Sequence, residues 1–173
     1  YPNIHGDVAA TANAAGVNTT AVAEHVLTFI FCWYKTMIHL DGMLKRGEYC
    51  FDYKGSEVSG KTLGIIGMGS IGKAVARRAL AFEMKVLGYG IRPVEVDGGV
   101  QMTDMETLLK LSDVLTLHCS LNEQTRHMIG RRELDSMKPS SFLINTSRGP
   151  VVDEAALIVA LQTKKIAGAG LDV

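Results

Sequence analysis

Cysteine, proline and net charge are scarce in this 173-residue chain. Its three cysteines, Cys32, Cys50 and Cys119, are odd in number, far apart and form no C-x-x-C pair. That pattern excludes a disulfide framework and a zinc site, so no metal is expected, and it fits a reducing, cytoplasmic setting. Eighteen Lys and Arg cancel eighteen Asp and Glu. No long-range field then draws in DNA, RNA or an anionic bilayer, and neither nucleic acid nor membrane is an expected partner. The basic clusters that occur, such as Lys73 with Arg77 and Arg78, are scattered among acids and read as solvated helix faces. The most apolar stretch, Val26 to Tyr34, is too short to span a bilayer, and no signal-peptide pattern is read at the start. With four prolines and 47% hydrophobic residues the chain reads as a compact domain, neither disordered nor a small stapled scaffold. A domain of this length buries roughly 70% of its unfolded surface, enough for a core without cross-links.

Glycine, by contrast, is in excess: 18 residues, about a tenth of the chain, where average proteins carry roughly 7%. Five of them lie between Gly60 and Gly72. There TLGIIGMGSIGKAVARRALAF places Gly67, Gly69 and Gly72 in G-x-G-x-x-G, after an apolar strand and at the opening of a helix. Gly67 permits the tight turn, Gly69 lets the backbone approach a pyrophosphate, and Gly72 lets helix and strand pack closely. The free N–H groups and positive end of the helix then hold the diphosphate. The motif is a dinucleotide-binding loop and not a P-loop, because Gly-Lys-Ser/Thr is missing.

Around this loop the chain alternates strand and helix. TLGII, KVLGY, VLTLH, SFLINT and AGAGLDV are continuous apolar runs, which a parallel sheet buried on both faces requires. Between them, Ile71, Val75, Ala79 and Phe82 form one inward stripe. Thr103 and Glu106 suggest a capping box for the next helix, and Asp153 a cap for the last, with Val152 and Leu157 as a hydrophobic staple. Before the sheet, NTTAVAEHVLTFIFCWYKTMIHL predicts one long helix, capped by Thr19 or Thr20 and ended by Gly42, followed by a loop over residues 45 to 60. The expected fold is α/β: a Rossmann-type doubly wound parallel sheet in three α/β/α layers, preceded by that helix.

The end of the second strand decides which dinucleotide fits. NAD sites carry Asp or Glu there to meet the ribose hydroxyls. Here Gly90, Ile91 and Arg92 follow instead, so nothing repels a 2'-phosphate and Arg92 can pair with one. The cofactor is expected to be NAD or NADP, with NADP favoured by Gly90 and Arg92. Ligands of such sheets sit outside the carboxyl ends of the strands. The residues found there are His118, Cys119 and Ser120, then Thr146, Ser147, Arg148 and Gly149, then Asp172.

At these positions the sequence resembles the D-isomer-specific 2-hydroxyacid dehydrogenases, a family that includes glyoxylate and hydroxypyruvate reductases, phosphoglycerate dehydrogenases and D-lactate dehydrogenases. NTTAVAEHVL resembles its interdomain helix, SGKTLGIIGMGSIG its nucleotide loop and SDVLTLHCSL its fourth-strand segment. MKPSSFLINTSRGPVVDEAAL and GAGLDV resemble its most specific signatures. The resemblance implies a catalytic role for Arg148, gripping the carboxylate of a 2-hydroxy or 2-oxo acid and polarising the adjacent carbonyl, as a planar guanidinium can do bidentately. It implies that Ser70 and Ile71 belong to the cofactor loop, that Cys119, Ser120 and Thr125 lie near the nucleotide's ribose and phosphates, and that Thr146, Ser147 and Asp172 surround the nicotinamide. Ser120 departs from the proline common in the family's H-x-P segment.

The family's general acid/base is a histidine in a Pro-His segment, paired with a glutamate shortly after the LDV signature; neither is found up to Val173. His118, His25 and His39 are accordingly expected to be structural or cofactor-adjacent. The start at Tyr1 and the stop after IAGAGLDV read as a piece of a longer chain: residues 1–18 a remnant of the substrate domain or a lead-in, residues 19–173 the dinucleotide-binding domain. On this expectation the chain binds dinucleotide and turns over negligibly. Phe29, Ile30, Phe31, Trp33 and Tyr34 make the long helix apolar on more than one face, and relatives dimerise through their cofactor domains, so a homodimer is expected. A second class stays open, a dinucleotide-sensing module such as the corepressors that resemble this family.

Overall fold

The structure, a computed structural model, describes residues 16–49, 55–90 and 98–173. Two helices come first, α1 (Thr19–Tyr34) and α2 (Met37–Lys45). The alternating unit follows: β1 (Thr62–Ile66), α3 (Ser70–Ala81), β2 (Lys85–Tyr89), β3 (Val100–Met102), α4 (Met105–Leu111), β4 (Val114–Leu117), α5 (Arg131–Ser136), β5 (Phe142–Asn145), α6 (Glu154–Gln162) and β6 (Gly168–Leu171). The six strands form one sheet in the order β3-β2-β1-β4-β5-β6, every pair parallel. This is the doubly wound order expected of the apolar runs.

Side chains of a strand alternate between faces, and that period divides the core in two. Leu63 and Ile65 of β1, Val114 of β4, and Phe142 and Ile144 of β5 face α1 and α3, where Val26, Ile30, Val75 and Ala79 complete one buried cluster. Ile66, Leu115, Leu117 and Leu143 face the other way, onto Leu108, Leu134 and Leu157 of α4, α5 and α6. The sheet is covered on both faces, which is why its strands carry no alternation of polar and apolar residues.

Several local expectations are corrected. The N-cap of α1 is Asn18, with no side-chain cap bond, so neither Thr19 nor Thr20 caps it. The long helix is two helices: Thr36 adopts a left-handed backbone (φ 52°), and Gly42, expected to end the helix, lies inside α2. The cause is tertiary, because Ser56 N–H donates to the Tyr34 carbonyl (2.7 Å) and the main chain at Gly55 crosses so near that a Cβ there would lie 3.0 Å from Lys35 Cα. Asp104, not Thr103, caps α4 by accepting from the Thr107 N–H (2.8 Å). Thr103 stands one residue before the cap, where its N–H extends the ladder to the Gly88 carbonyl (2.9 Å), and Glu106 pairs with Lys110 instead of closing a capping box. Phe82 falls just past α3 and is 44% exposed, leaving Ile71, Val75 and Ala79 as the inward stripe. Strand β3 and helix α5 are too short to show a period and were not expected from the sequence. Asp153 caps α6 as expected, accepting from the Ala156 N–H (3.1 Å), with Val152 and Leu157 buried beside it.

Candidate active site at the carboxyl edge of the sheet

Strand order reverses between β1 and β4, and the loops leaving their carboxyl ends diverge to opposite faces, opening a crevice at that point. The β1–α3 turn lies directly against the end of β4. Gly67 has φ 98°, and a Cβ on it would meet the His118 carbonyl carbon at 2.6 Å and the Cys119 nitrogen at 2.8 Å. At Gly72 a Cβ would fall 2.2 Å from the Gly67 carbonyl oxygen, so helix and turn touch through bare backbone. Gly69 is different: nothing lies within 4 Å of where its Cβ would be. As N-cap of α3 it has no side chain to occupy the leading N–H groups of Ser70, Ile71 and Gly72, which leaves a helix terminus and an open backbone surface at the crevice. Those two features suit a diphosphate.

Gly90 follows β2, the neighbour of β1. Ile91 and Arg92 lie outside the described residues, as does Cys50. On the other side of the crevice, Cys119 is a half-buried free thiol whose pKa burial raises, so it is a poor nucleophile. Ser120 is exposed and Thr125 fully buried. The Thr125 hydroxyl holds its own loop together, donating to the Ser120 carbonyl (2.7 Å) and accepting from the Asn122 N–H (2.8 Å). His118 contacts the Thr116 hydroxyl through Nε2 at 3.0 Å, and burial pushes its pKa down to about 4. Its imidazole is therefore neutral near pH 7 and is not a proton store in that range.

The end of β5 is organised by Asn145, only 1% exposed, which closes the apolar stretch FLIN and was not among the expected site residues. Its Oδ1 accepts from the Ser147 N–H (3.0 Å) and hydroxyl (2.9 Å), its Nδ2 donates to the Arg148 carbonyl (2.9 Å), and its own carbonyl accepts from the Asp172 N–H (3.0 Å). The buried side-chain amide thus fixes Ser147 and Arg148, and the main chain of the same residue holds Asp172; a polar residue closing an apolar strand was the available signal. Arg148 is exposed, with Nη1 donating to the Ser147 carbonyl (2.6 Å). Thr146 Oγ1 is buried yet has no hydrogen-bond partner among the described residues. A buried hydroxyl left unpaired is costly, and at this edge it is a group suited to a bound polar ligand. Sheet order sets the loops after β1, β4, β5 and β6 side by side, so every described candidate residue except Gly90 belongs to one contiguous edge, with Gly90 flanking it on β2.

Comparison with known proteins agrees with this geometry. Residues 27–173 match the family model described as D-isomer specific 2-hydroxyacid dehydrogenase, NAD binding domain. The class that the sheet and its glycine loop define is a Rossmann-type dinucleotide-binding domain, and the chain belongs to the D-isomer-specific 2-hydroxyacid dehydrogenase family. A glyoxylate reductase from Thermococcus litoralis is 44% identical over 93% of this chain and 52% of its own length. Among solved structures, the D-lactate dehydrogenase from Aquifex aeolicus complexed with NAD and lactic acid superposes with a TM-score of 0.87 at 38% identity, covering 91% of this chain and 49% of that one. An acyclic imino acid reductase in complex with NADPH and D-Arg gives 0.84 at 38% identity, covering 90% and 51%. The chain spans about half the length of the curated relatives it matches. Among the described residues, no helix is long and apolar enough to cross a membrane.

Proposed function

We propose that this chain is the cofactor-binding half of an oxidoreductase that transfers hydride between a nicotinamide dinucleotide and a 2-hydroxy or 2-oxo acid. The observation that carries the reading is the open Gly69 backbone at the head of α3, on the same sheet edge as Arg148 and the unpaired Thr146 hydroxyl. In this reading Gly67, Gly69, Ser70, Ile71 and Gly72 hold the diphosphate. Gly90, Ile91 and Arg92 border the adenosine ribose, and Cys119, Ser120 and Thr125 flank the ribose and phosphates. Thr146, Ser147 and Asp172 surround the nicotinamide, and Arg148 holds the substrate carboxylate. When bound, the nicotinamide supplies or accepts the hydride at C2 of the acid. The chain's own part is to orient both partners and to place a cation beside the carbonyl that becomes an alkoxide.

NADP is the favoured form, because Gly90 puts no carboxylate where a 2'-phosphate would sit and Arg92 follows it closely; structural neighbours carry either NAD or NADPH. Residues 19–173 are proposed as the cofactor domain and 1–18 as a remnant of the substrate domain or a lead-in. The free thiols Cys32 and Cys119 support a cytoplasmic setting. The aromatic residues of α1 pack against their own core, so a homodimer would use the apolar side chains that α2 exposes, Met37, Ile38 and Leu44.

Titration calorimetry with NADH and NADPH, followed by an assay of glyoxylate and hydroxypyruvate reduction, tests the reading. Both nucleotides are expected to bind, NADPH more tightly, with negligible turnover by this chain alone and the mass of a dimer by light scattering. Binding of neither nucleotide overturns the function; tighter binding of NADH overturns only the NADP preference; substantial turnover overturns the division of labour.

A further inference from the structure

α1 and β6 meet through a matched ladder of side chains. His25, Phe29 and Trp33 are one turn apart and stand on the same side of α1. Gly168, Gly170 and Asp172, at alternate positions along β6 and its end, meet them one to one in the opposite direction. A Cβ at Gly168 would lie 2.8 Å from Trp33 Cζ3, and one at Gly170 would lie 2.8 Å from Phe29 Cδ1. At the last rung His25 Nε2 lies 3.6 Å from Asp172 Oδ1. The spacings agree, since four helical residues advance about 6 Å and two residues of a parallel strand about 6.6 Å.

The lower rungs hold the upper one still. The Trp33 ring stacks on Phe142, with centroids 4.5 Å apart and planes at 13°. Phe29 meets the His25 imidazole edge to face at 4.7 Å. The imidazole is thereby steadied while its Nε2 stays within reach of the Asp172 carboxylate. The Asp172 main chain is pinned by its N–H to the Asn145 carbonyl (3.0 Å). Its carboxylate has no other side-chain partner among the described residues. Side-chain exposures of 46% and 52% mean that the pair contributes little to folding. Its bearing is on placement, because at 3.6 Å the imidazole is the one side-chain group paired with the carboxylate among the described residues.

We infer that His25 is a positioning residue that holds the Asp172 carboxylate in the orientation that accepts the N–H of a nicotinamide carboxamide. This rests on the dinucleotide reading proposed above, in which Asp172 borders the nicotinamide. α1 then does more than cover the sheet, because its first turns align one end of the cofactor site.

The test compares two ligands on the full chain by calorimetry. One is the oxidised dinucleotide that binds more tightly, and the other is the matching ADP-ribose or its 2'-phosphate, which lacks nicotinamide. His25→Ala weakens dinucleotide binding about fivefold, the scale of one misoriented hydrogen bond, and leaves ADP-ribose binding unchanged. His25→Gln, whose amide nitrogen falls near the position of Nε2, retains dinucleotide affinity, whereas His25→Asn, too short to reach, behaves like alanine. This amide pair carries the same comparison if alanine impairs folding. Equal loss for both ligands, or no loss for either, overturns the positioning role and leaves dinucleotide binding standing. Should the unmodified chain bind neither ligand, the dinucleotide reading fails and the role of His25 fails with it.

Discussion

Gly69 and Gly72 stand three residues apart in one loop and answer to different requirements. Alanine at position 72 drives a methyl group to 2.2 Å from the Gly67 carbonyl oxygen, so the turn must open. Gly72→Ala is expected to cost about 2 kcal/mol or more in urea denaturation, an overpacking penalty against rigid backbone. Alanine at position 69 meets nothing within 4 Å, and as an N-cap change it costs less than about 1 kcal/mol. Gly69→Ala is nevertheless expected to weaken dinucleotide binding by about tenfold or more, because in the proposed reading its open surface is where the pyrophosphate comes closest. Equal effects of the two substitutions on stability would contradict this division. At the same scale, the glycines and the strand-end residues were legible because each is a chemical type at a fixed spacing. Asn145 was not, since its importance lies in four hydrogen bonds to residues on two strand-end loops.

At the scale of elements, apolar runs revealed five of the six strands, because burial on both faces leaves an unbroken signature in sequence. The sixth, β3, has three residues, two of them exposed, and exists only because β2 offers it a ladder. The division of α1 from α2 was illegible for a related reason. The apolar period runs on through residues 34 to 37, while the break is imposed by the segment at Gly55 and Ser56, about twenty residues later in the chain. The contact of α1 with β6 yields a prediction of its own. Gly168→Ala would place its methyl 2.8 Å from a Trp33 ring that is stacked on Phe142 and cannot swing away freely. The expected cost is about 1–3 kcal/mol, measured by denaturant midpoint; a midpoint unchanged from the parent chain would show that α1 can yield.

For the molecule as a whole, the crevice side of β4 makes stability depend on pH. Burial holds the His118 imidazole neutral, with its pKa lowered from 6.5 to about 4. Between these values the unfolded chain binds a proton that the folded chain does not. The stabilisation is therefore complete above pH 6.5 and is lost as pH falls towards 4, by at most about 3 kcal/mol for this group. Urea denaturation at steps from pH 7 to pH 4 measures the slope. His118→Gln is expected to flatten it across that window, and an unchanged slope would assign the acid sensitivity to other groups.

The sequence by itself determined the class of fold, the dinucleotide loop and the family, because period, glycine spacing and strand-end chemistry are local properties written within short stretches of chain. Only the tertiary structure decided where α1 ends, which residue caps α4, and how Asn145, through its side-chain amide and its main-chain carbonyl, ties three candidate residues together. It alone brought His25 to Asp172, residues at nearly opposite ends of the chain. Such pairings depend on which elements become neighbours in the sheet and its layers, and contacts between distant parts of a chain leave no pattern in either part alone.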